Sequence, residues 1–167
     1  LVLSTNHPNT IFRLSNGYGV PKFPGKTFWA LLFNDLVRMC WQQKKIVLNS
    51  NGQQQRDFIS LNAVADATLK AIRGSIVGTF NLSSEDSLTV LEVAEIVGAA
   101  FSSVTGKSIE TQTNERDLTR RPERPLLVSS QKFRTAAGWN STNEIRRVAI
   151  EYFERLTGGE NFGLEYV

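Results

Sequence analysis

Three polar side chains stand beside extended segments of the chain, where they could act on a common ligand. Asn16 follows the segment 10–15, Arg56 precedes a second extended segment, and Arg121 lies in a loop bounded by prolines. Guanidinium groups donate paired, charge-assisted hydrogen bonds to phosphate oxygens, and an amide NH2 adds further donors. A lone arginine is usually a solvated charge, and Asn before Gly is usually a turn former. Together, if their loops converge, the three residues predict a site for a diphosphate.

Tyr18 and Lys22 match the Tyr-x-x-x-Lys pair, in which lysine lowers the pKa of a tyrosine that acts as general acid or base. That chemistry needs both residues on one face of a helix, one turn apart, but Gly19 and Pro21 between them oppose helix formation. Gly17 and Gly19 could also open a Gly-x-Gly-x-x-Gly phosphate loop, but Lys22 holds the third glycine position. We therefore predict neither a catalytic pair nor a dinucleotide loop at this segment.

Composition narrows the classes of protein to consider. The 167 residues are 41% hydrophobic and 21% charged, which suits one packed domain rather than two. A single cysteine, Cys40, excludes an internal disulfide, and with only His7 beside it there is no set of soft ligands for zinc. The longest apolar run, residues 28–33, is far shorter than the roughly 20 residues of a membrane span. We expect a cytoplasmic protein with no metal and no membrane partner.

A group of arginines between residues 116 and 124 keeps a second class of function open. These side chains could track a phosphate backbone, but two acidic residues interrupt them and no aromatic residue stands among them to stack on bases. The formal net charge of +3 is also small for a nucleic-acid protein. We expect no nucleic-acid partner. The alternative reading is a basic nucleic-acid or protein interaction module without catalysis.

Alternating strand and helix patterns predict an α/β fold that positions these loops. The predicted strands cover residues 10–15, 45–48, 57–60 and 79–82, with a short extended stretch at residue 109. The predicted helices cover residues 28–41 and 61–72, and three more end near residues 101, 137 and 156. Thr89–Glu92 and Ser141–Glu144 both match the capping box, and Ser129 or Ser130 could cap the short helix that Gly138 ends. We expect residues 158–167 to form a flexible tail.

Four blocks of the sequence, in this order and spacing, resemble the C-terminal half of the extended short-chain dehydrogenases that act on sugar nucleotides. The blocks are Phe12–Pro21, Gln55–Ile59, Phe80–Ser84 and Gly138-Trp139. That family includes nucleotide-sugar 4-epimerases, 4,6-dehydratases and reductases. The resemblance implies the C-terminal portion of an NAD(P)-binding Rossmann-like fold of mixed strands and helices, without its Rossmann cofactor half. Residues 1–157 would then be the substrate-binding half.

The resemblance also implies roles for particular residues. Asn16, Arg56 and Arg121 would contact the diphosphate of a nucleotide-sugar, with Arg121 belonging to an Arg-Arg-Pro loop. Asn34 would lie near the base. The strand Ile46, Val47 and Leu48 would run beside the base and contribute backbone contacts.

The catalytic machinery of that family precedes the half that this chain resembles. There the Gly-rich cofactor loop, a catalytic Ser or Thr and the true Tyr-x-x-x-Lys pair lie in the N-terminal half. The resemblance therefore implies a parent enzyme that uses NAD or NADP, whereas this chain binds no cofactor and is inactive alone. Strands near Thr10 and Phe80 would expose a parallel edge, so we expect a partner there, either the N-terminal Rossmann half or a second copy of the chain.

The chain departs from the family pattern at several positions. In the Arg-Asp-Phe-Ile-His-Val-Asp-Asp block, Ser60 replaces His, and Asn62 and Ala63 replace both following Asp residues. The glycine-bearing turn after the Asn81 strand carries Glu85, and the Asp after the Arg-Pro motif is absent. We therefore do not carry over the identity of the base, the sugar or the reaction.

Overall fold

The computed structural model describes residues 8–22, 27–114 and 126–164, with backbone alone for residues 27 and 28. Its strands are β1 (Thr10–Leu14), β2 (Asn16–Tyr18), β3 (Lys45–Val47), β4 (Gln55–Ser60), β5 (Gly78–Leu82), β6 (Ser87–Thr89) and β7 (Glu110–Gln112). Its α-helices are α1 (Leu32–Arg38), α2 (Leu61–Arg73), α3 (Val90–Thr105), α4 (Gln131–Ala137) and α5 (Ile145–Thr157). The α/β class predicted from the alternation of strands and helices is confirmed.

The contact pattern divides the chain into two compact units, each built from three stretches of sequence. The described part of the first unit comprises residues 8–17, 57–87 and 126–143, and that of the second comprises residues 18–22, 27–56, 88–114 and 144–164. Strands β2, β4 and β6 form one sheet in that order.

The first unit is built on a parallel pair of strands. In the register of β1 and β5, Thr10 lies opposite Gly78 and Leu14 opposite Leu82. The face that carries Phe12 and Phe80 is covered by helices α2 and α4, so side chains of alternate strand residues enter one core. The buried members of this core are Ile59, Ala67, Ala71, Phe80, Leu82, Phe133 and Trp139.

The second unit centres on the packing of α3 against α5. Phe101 on α3 meets Phe153 on α5 edge to face, with 5.2 Å between ring centroids. Helix α1 packs against both helices, and β3 pairs in parallel with β7. Gly98 of α3 lies beside this strand pair, because a Cβ built there would lie 3.5 Å from Ile109 and 3.7 Å from Ile46.

Of the two predicted capping boxes one forms, and Gly138 ends α4 in a left-handed conformation as predicted. At the start of α3, the Thr89 hydroxyl accepts the Glu92 N–H at 3.0 Å and the Glu92 carboxylate accepts the Thr89 N–H at 2.7 Å, which confirms the capping box. The Ser141–Glu144 box is wrong, because Glu144 itself is the N-cap of α5 and makes no side-chain cap bond. Of the two serines predicted to cap α4, Ser130 is the N-cap but its hydroxyl makes no cap bond, whereas the Ser129 hydroxyl accepts the Gln131 N–H at 3.2 Å.

The helix predicted over residues 28–41 is interrupted. Leu31 has extended backbone angles and separates a 3-10 turn, Thr27–Ala30, from α1. A π-helical turn, Met39–Gln43, continues the chain until Lys44 takes a left-handed conformation with φ of 56°. Within this segment Phe33, Leu36 and Val37 are all buried.

Residues 158–164 follow α5 and remain in contact with it. Phe162 is 3% exposed and packs edge to face on Tyr152, with 4.9 Å between ring centroids. Its ring also lies 5.2 Å from the Arg155 guanidinium. The mobility expected for residues 158–167 stays a prediction.

Candidate functional site

Arg56 lies near the start of β4 and is oriented by a neighbouring side chain. Its Nη2 donates a hydrogen bond of 2.8 Å to Oε1 of Gln54. The backbone around Gln54 is in turn held by the first turn of α3, because the Val90 N–H donates to the Gln54 carbonyl at 3.1 Å and the Leu91 N–H to the Gly52 carbonyl at 2.9 Å. The guanidinium therefore rests on a loop that is hydrogen-bonded to a helix.

Gly52 makes this close approach to α3 possible. Its φ is +74°, and a Cβ built at this position would lie 2.8 Å from the Cβ of Leu91. Any side chain there would force the loop away from the helix, because non-bonded carbon atoms normally stay at least about 3.5 Å apart. The glycine thus helps to set the position of the loop that carries Gln54.

The predicted base-binding strand is well ordered in the second unit. Ile46 and Leu48 are buried, whereas Val47 is half-buried. One edge of the strand is used by β7, because Val47 lies opposite Gln112 and the Leu48 N–H donates to the Gln112 carbonyl at 2.9 Å. The side chains of Ile46 and Leu48 are committed to the core, so a ligand would meet this strand through its backbone, as the resemblance implies.

Asn34, the other residue expected near the base, lies on α1 and is only 4% exposed. Its helical neighbours Phe33, Leu36 and Val37 are buried as well. An amide in such surroundings must be hydrogen-bonded to offset the loss of water. The contact of Asn34 with a base stays a prediction.

Asn16 begins β2 and belongs to the first unit. Its Nδ2 donates a hydrogen bond of 2.8 Å to the backbone carbonyl of Asp57. A primary amide carries two N–H donors, and this bond fixes the direction in which the NH2 group points. The strand end predicted to carry a phosphate-binding amide is thus joined to the residue that follows Arg56.

Asp57, which follows Arg56, is a buried carboxylate that sequence reasoning passed over. It has no exposed surface, and its Oδ1 accepts the Ser84 N–H at 3.2 Å. Burial raises the pKa of this carboxyl, and the like charge of Asp86 acts in the same direction, while the Ser15 hydroxyl and the amides of Ser84 and Glu85 oppose the shift. An acidic residue directly before the apolar residues Phe58 and Ile59 was the signal in the sequence that could have identified it.

The turn after β5 is fixed by a second carboxylate. Glu85 adopts a left-handed conformation with φ of 58°, and its Oε1 accepts the Ser130 N–H at 2.6 Å. Its Oε2 forms an ion pair of 2.9 Å with Arg134. These contacts lower the pKa of Glu85, and the bond to the Ser130 N–H contributes most. Glu85 therefore holds the N–H of Ser130, the N-cap residue of α4, and so helps to fix the start of that helix.

The prediction that Tyr18 and Lys22 do not share a helix is confirmed. Tyr18 ends β2, and no helix covers residues 19–22. The phenol is 2% exposed, accepts the Glu144 N–H at 2.8 Å and packs on Phe33. Tyr18 is therefore part of the core of the second unit.

The described residues do not test the convergence of the diphosphate site. Arg121 lies outside them, Asn16 belongs to the first unit, and Arg56 belongs to the second. The gathering of these three side chains around one ligand stays a prediction.

In residues 8–22, 27–114 and 126–164, no three or more His, Cys, Asp or Glu side chains lie together as ligands for a metal ion. None of the helices found there combines the length and the apolar character that a bilayer crossing requires.

Comparison with known proteins gives matches from sequence and from fold. Residues 4–83 match the sequence model of the NAD dependent epimerase/dehydratase family. A dTDP-L-rhamnose 4-epimerase from Burkholderia thailandensis is 30% identical over 103 residues, which are 59% of this chain and 28% of the relative. A dTDP-glucose 4,6-dehydratase from Neisseria gonorrhoeae is 26% identical over 165 residues, which are 92% of this chain and 46% of the relative.

Solved structures share the fold. The UDP-N-acetylglucosamine 4-epimerase of Bacillus cereus superimposes with a TM-score of 0.69 at 19% identity, covering 93% of this chain and 48% of its own. The enzyme of the same name from Methanobrevibacter ruminantium gives a TM-score of 0.72 at 15% identity, covering 95% and 49%. This chain thus spans about half the length of these two structures. Its match to the dTDP-L-rhamnose 4-epimerase spans 28% of that relative. Its residues 4–83 thus resemble the NAD dependent epimerase/dehydratase family, and its α/β fold is that of the two solved epimerases.

Proposed function

We propose that this chain supplies the part of an NAD(P)-dependent epimerase/dehydratase that binds the nucleotide-diphosphate sugar. The observation that carries the proposal is the setting of Arg56. Arg56 is the first residue of the family's Arg-Asp-Phe-Ile block. Its guanidinium is oriented by Gln54, whose loop is hydrogen-bonded to α3. A guanidinium held in one orientation can present a planar pair of N–H groups to phosphate oxygens.

The remaining contacts of the proposed site follow from the chemistry of each residue. Asn16 and Arg121 would complete the donors to the diphosphate, because amide and guanidinium groups both donate to phosphate oxygens. Asn34 and the backbone of Ile46–Leu48 would lie beside the base. The supporting observation is that the side chains of Ile46 and Leu48 are buried, which leaves backbone groups as the strand's polar contacts.

Other family members suggest which nucleotides to test. The Methanobrevibacter ruminantium enzyme was solved with UDP-N-acetylmuramic acid, and a UDP-glucose 4-epimerase from Thermotoga maritima was solved with UDP-glucose. The curated relatives carry dTDP-sugars in their names. UDP and dTDP are therefore the first probes, with GDP as a comparison.

The described residues do not suit the dinucleotide cofactor that the family uses. Binding of NAD(P) in such folds needs a strand, a Gly-rich turn and a helix in succession. Here Gly17 lies within β2, and residues 19–22 contain no helix. We therefore propose that no residue of this chain holds the cofactor or acts in catalysis, that the chain alone is inactive, and that the parent enzyme's NAD(P) is bound elsewhere.

A partner is proposed at the edge of β1. Among the described residues β1 pairs only with β5, and a two-stranded parallel sheet is rarely stable alone. Beside it, β1, α2 and the loop before β5 line a cleft of about 570 Å3, near which Ile72 and Val77 expose apolar surface. We propose that the NAD(P)-binding half of the enzyme covers this edge. A dimer of the chain in light scattering would favour a second copy instead.

Titration calorimetry with UDP, dTDP and GDP tests the binding role. We expect the chain to bind one of these nucleotides, and Arg56→Ala to weaken that binding at least about tenfold, because it removes a charge-assisted contact. Arg73→Ala is the matched control, since Arg73 is exposed at the end of α2. Binding of none of the three, or equal affinity in the Arg56 and Arg73 variants, would contradict the proposal. Salt-sensitive DNA binding would favour the interaction-module alternative.

A further inference from the structure

The tripeptide Ser-Asn-Gly occurs twice in the chain, as Ser15–Gly17 and as Ser50–Gly52. An asparagine before glycine can lose its side-chain amide, because glycine has no Cβ to shield the backbone nitrogen that attacks the amide carbon. The residues on either side of the two asparagines are the same, so their local chemistry is the same. A difference in reactivity between them must therefore come from the fold.

Asn16 is held by a strand. It begins β2, which also contains Gly17 and belongs to a three-stranded sheet. Its Nδ2 donates a hydrogen bond of 2.8 Å to the Asp57 carbonyl, so the amide group is held in one direction. Attack by the Gly17 nitrogen would require this bond to break and the strand backbone to rotate. Asn16 can therefore react only when this part of the sheet opens locally.

Asn51 lies in the loop between β3 and β4, where both reacting groups have polar partners. Its Oδ1 accepts the Gln53 N–H at 3.1 Å. Attack on the amide carbon places negative charge on this oxygen, and an N–H directed at it stabilises that charge. The Gly52 N–H, which must lose its proton, donates to Oγ of Ser50 at 3.3 Å. A hydroxyl both accepts and donates, so it can pass the proton on to water.

Water can also reach this loop. Gln53 is exposed and Asn51 is half-buried. Water is the second reactant of a deamidation, because it opens the ring that the first step forms. The surroundings of Asn51 thus suit both steps, whereas those of Asn16 oppose the first.

We propose that Asn51 is a site of deamidation in the folded protein, with water as the co-reactant. The Gly52 nitrogen forms a bond to Cγ of Asn51, the bond from Cγ to Nδ2 breaks, and NH3 leaves with the proton from the Gly52 nitrogen. Water then breaks one of the two bonds between the ring nitrogen and a carbonyl carbon, giving OH to the carbon and H to the nitrogen. The product is aspartate or isoaspartate at this position, and the mass rises by about 1 Da. This inference does not depend on the proposed function.

The isoaspartate product would disturb the contact of the loop with α3. It adds one CH2 group to the main chain directly before Gly52, whose carbonyl accepts the Leu91 N–H at 2.9 Å. There is little room at this point, since a Cβ built at Gly52 would lie 2.8 Å from the Cβ of Leu91. The same loop carries Gln54, which binds the Arg56 guanidinium at 2.8 Å. We therefore expect isoaspartate to lower the melting temperature, whereas Asn51→Asp, which leaves the main chain unchanged, should lower it less.

Peptide mapping by mass spectrometry tests the proposal on the whole chain, aged in a mildly alkaline buffer. In the native chain we expect Asn51 to convert at least about tenfold faster than Asn16, because Asn16 must wait for local opening. In urea, where the fold is lost, the two identical tripeptides should react at similar rates. Asn51→Gln is the matched control: its ring would have one more atom and closes far more slowly, so conversion should be lost there and unchanged at Asn16.

Equal rates at Asn16 and Asn51 in the native chain would overturn the proposal. So would conversion at Asn51 that occurs in urea but not in the folded protein. An isoaspartate-containing sample that melts like the unmodified chain would contradict the expected disturbance of the loop. These measurements follow a chemical change in the chain itself, so they have the same meaning whether or not the chain binds a nucleotide.

Discussion

Glu85 occupies a backbone conformation that favours glycine, yet its side chain holds the start of α4. Its φ is 58°. The carboxylate accepts the Ser130 N–H at 2.6 Å and pairs with Arg134 at 2.9 Å. At this one position, backbone strain therefore lowers the stability of the fold while the contacts of the side chain raise it. Replacing Glu85 by alanine and by glycine separates the two effects.

The expected magnitudes follow from these contacts. Glu85→Ala removes the hydrogen bond at the start of α4, which stabilises the fold by about 1–2 kcal/mol. It also removes a partly exposed ion pair worth at most about 1 kcal/mol. The left-handed backbone strain of about 1–2 kcal/mol remains in the alanine variant. Glu85→Gly loses the same contacts but releases the strain. We expect the alanine variant to be less stable than the glycine variant by about 1 kcal/mol. For a domain of this size that is a difference of roughly 2–4 °C in melting temperature.

Thermal and urea denaturation followed by circular dichroism measures this difference. Glu95→Ala serves as control, because Glu95 is exposed on α3. Glu85→Gln adds a test of charge: the pKa of Glu85 is lowered from 4.5 in the folded protein, so its stabilisation is full above that pH and is lost as pH falls through the folded pKa. The wild type and Glu85→Gln should then become equally stable in acid. An alanine variant as stable as the glycine variant would refute this reasoning.

Two further predictions concern α3 and the buried thiol. Thr89→Ala should destabilise the chain by about 1–2 kcal/mol, since it removes one half of the capping box, and a denaturation midpoint equal to that of the wild type would count against the cap. Burial raises the pKa of Cys40 from 9.0 to about 12, so the native thiol should resist iodoacetamide at pH 8 and react only after denaturation. Rapid labelling of the native chain would show that the thiol is accessible.

Local patterns in the sequence were sufficient to predict most helices and strands of the fold. Alternation predicted β1 and β5, and the Thr-x-x-Glu pattern predicted the start of α3, because strand periodicity and capping depend on residues close in sequence. The Ser141–Glu144 pattern is identical in type but forms no box, because the phenol of Tyr18 takes the Glu144 N–H instead. Such a partner, distant in sequence, is not visible in a local pattern.

The two compact units could not be predicted, because each joins three separate stretches of chain. The same limit applies to the site. Arg56 was identified from its residue type and its place beside a strand, but the loop that orients it depends on the approach of Gly52 to α3. Asp57 and Glu85 were missed as anchors because their partners, Ser84 and Ser130, are brought to them only by the tertiary fold.

A crystal structure of the chain with UDP or dTDP, whichever binds, tests the central claim most directly. The account predicts that Asn16, Arg56 and Arg121 all lie within hydrogen-bonding distance of the two phosphate groups, with the base beside the backbone of Ile46–Leu48. A diphosphate bound on another surface, or these three side chains on separate faces of the protein, would contradict the assignment.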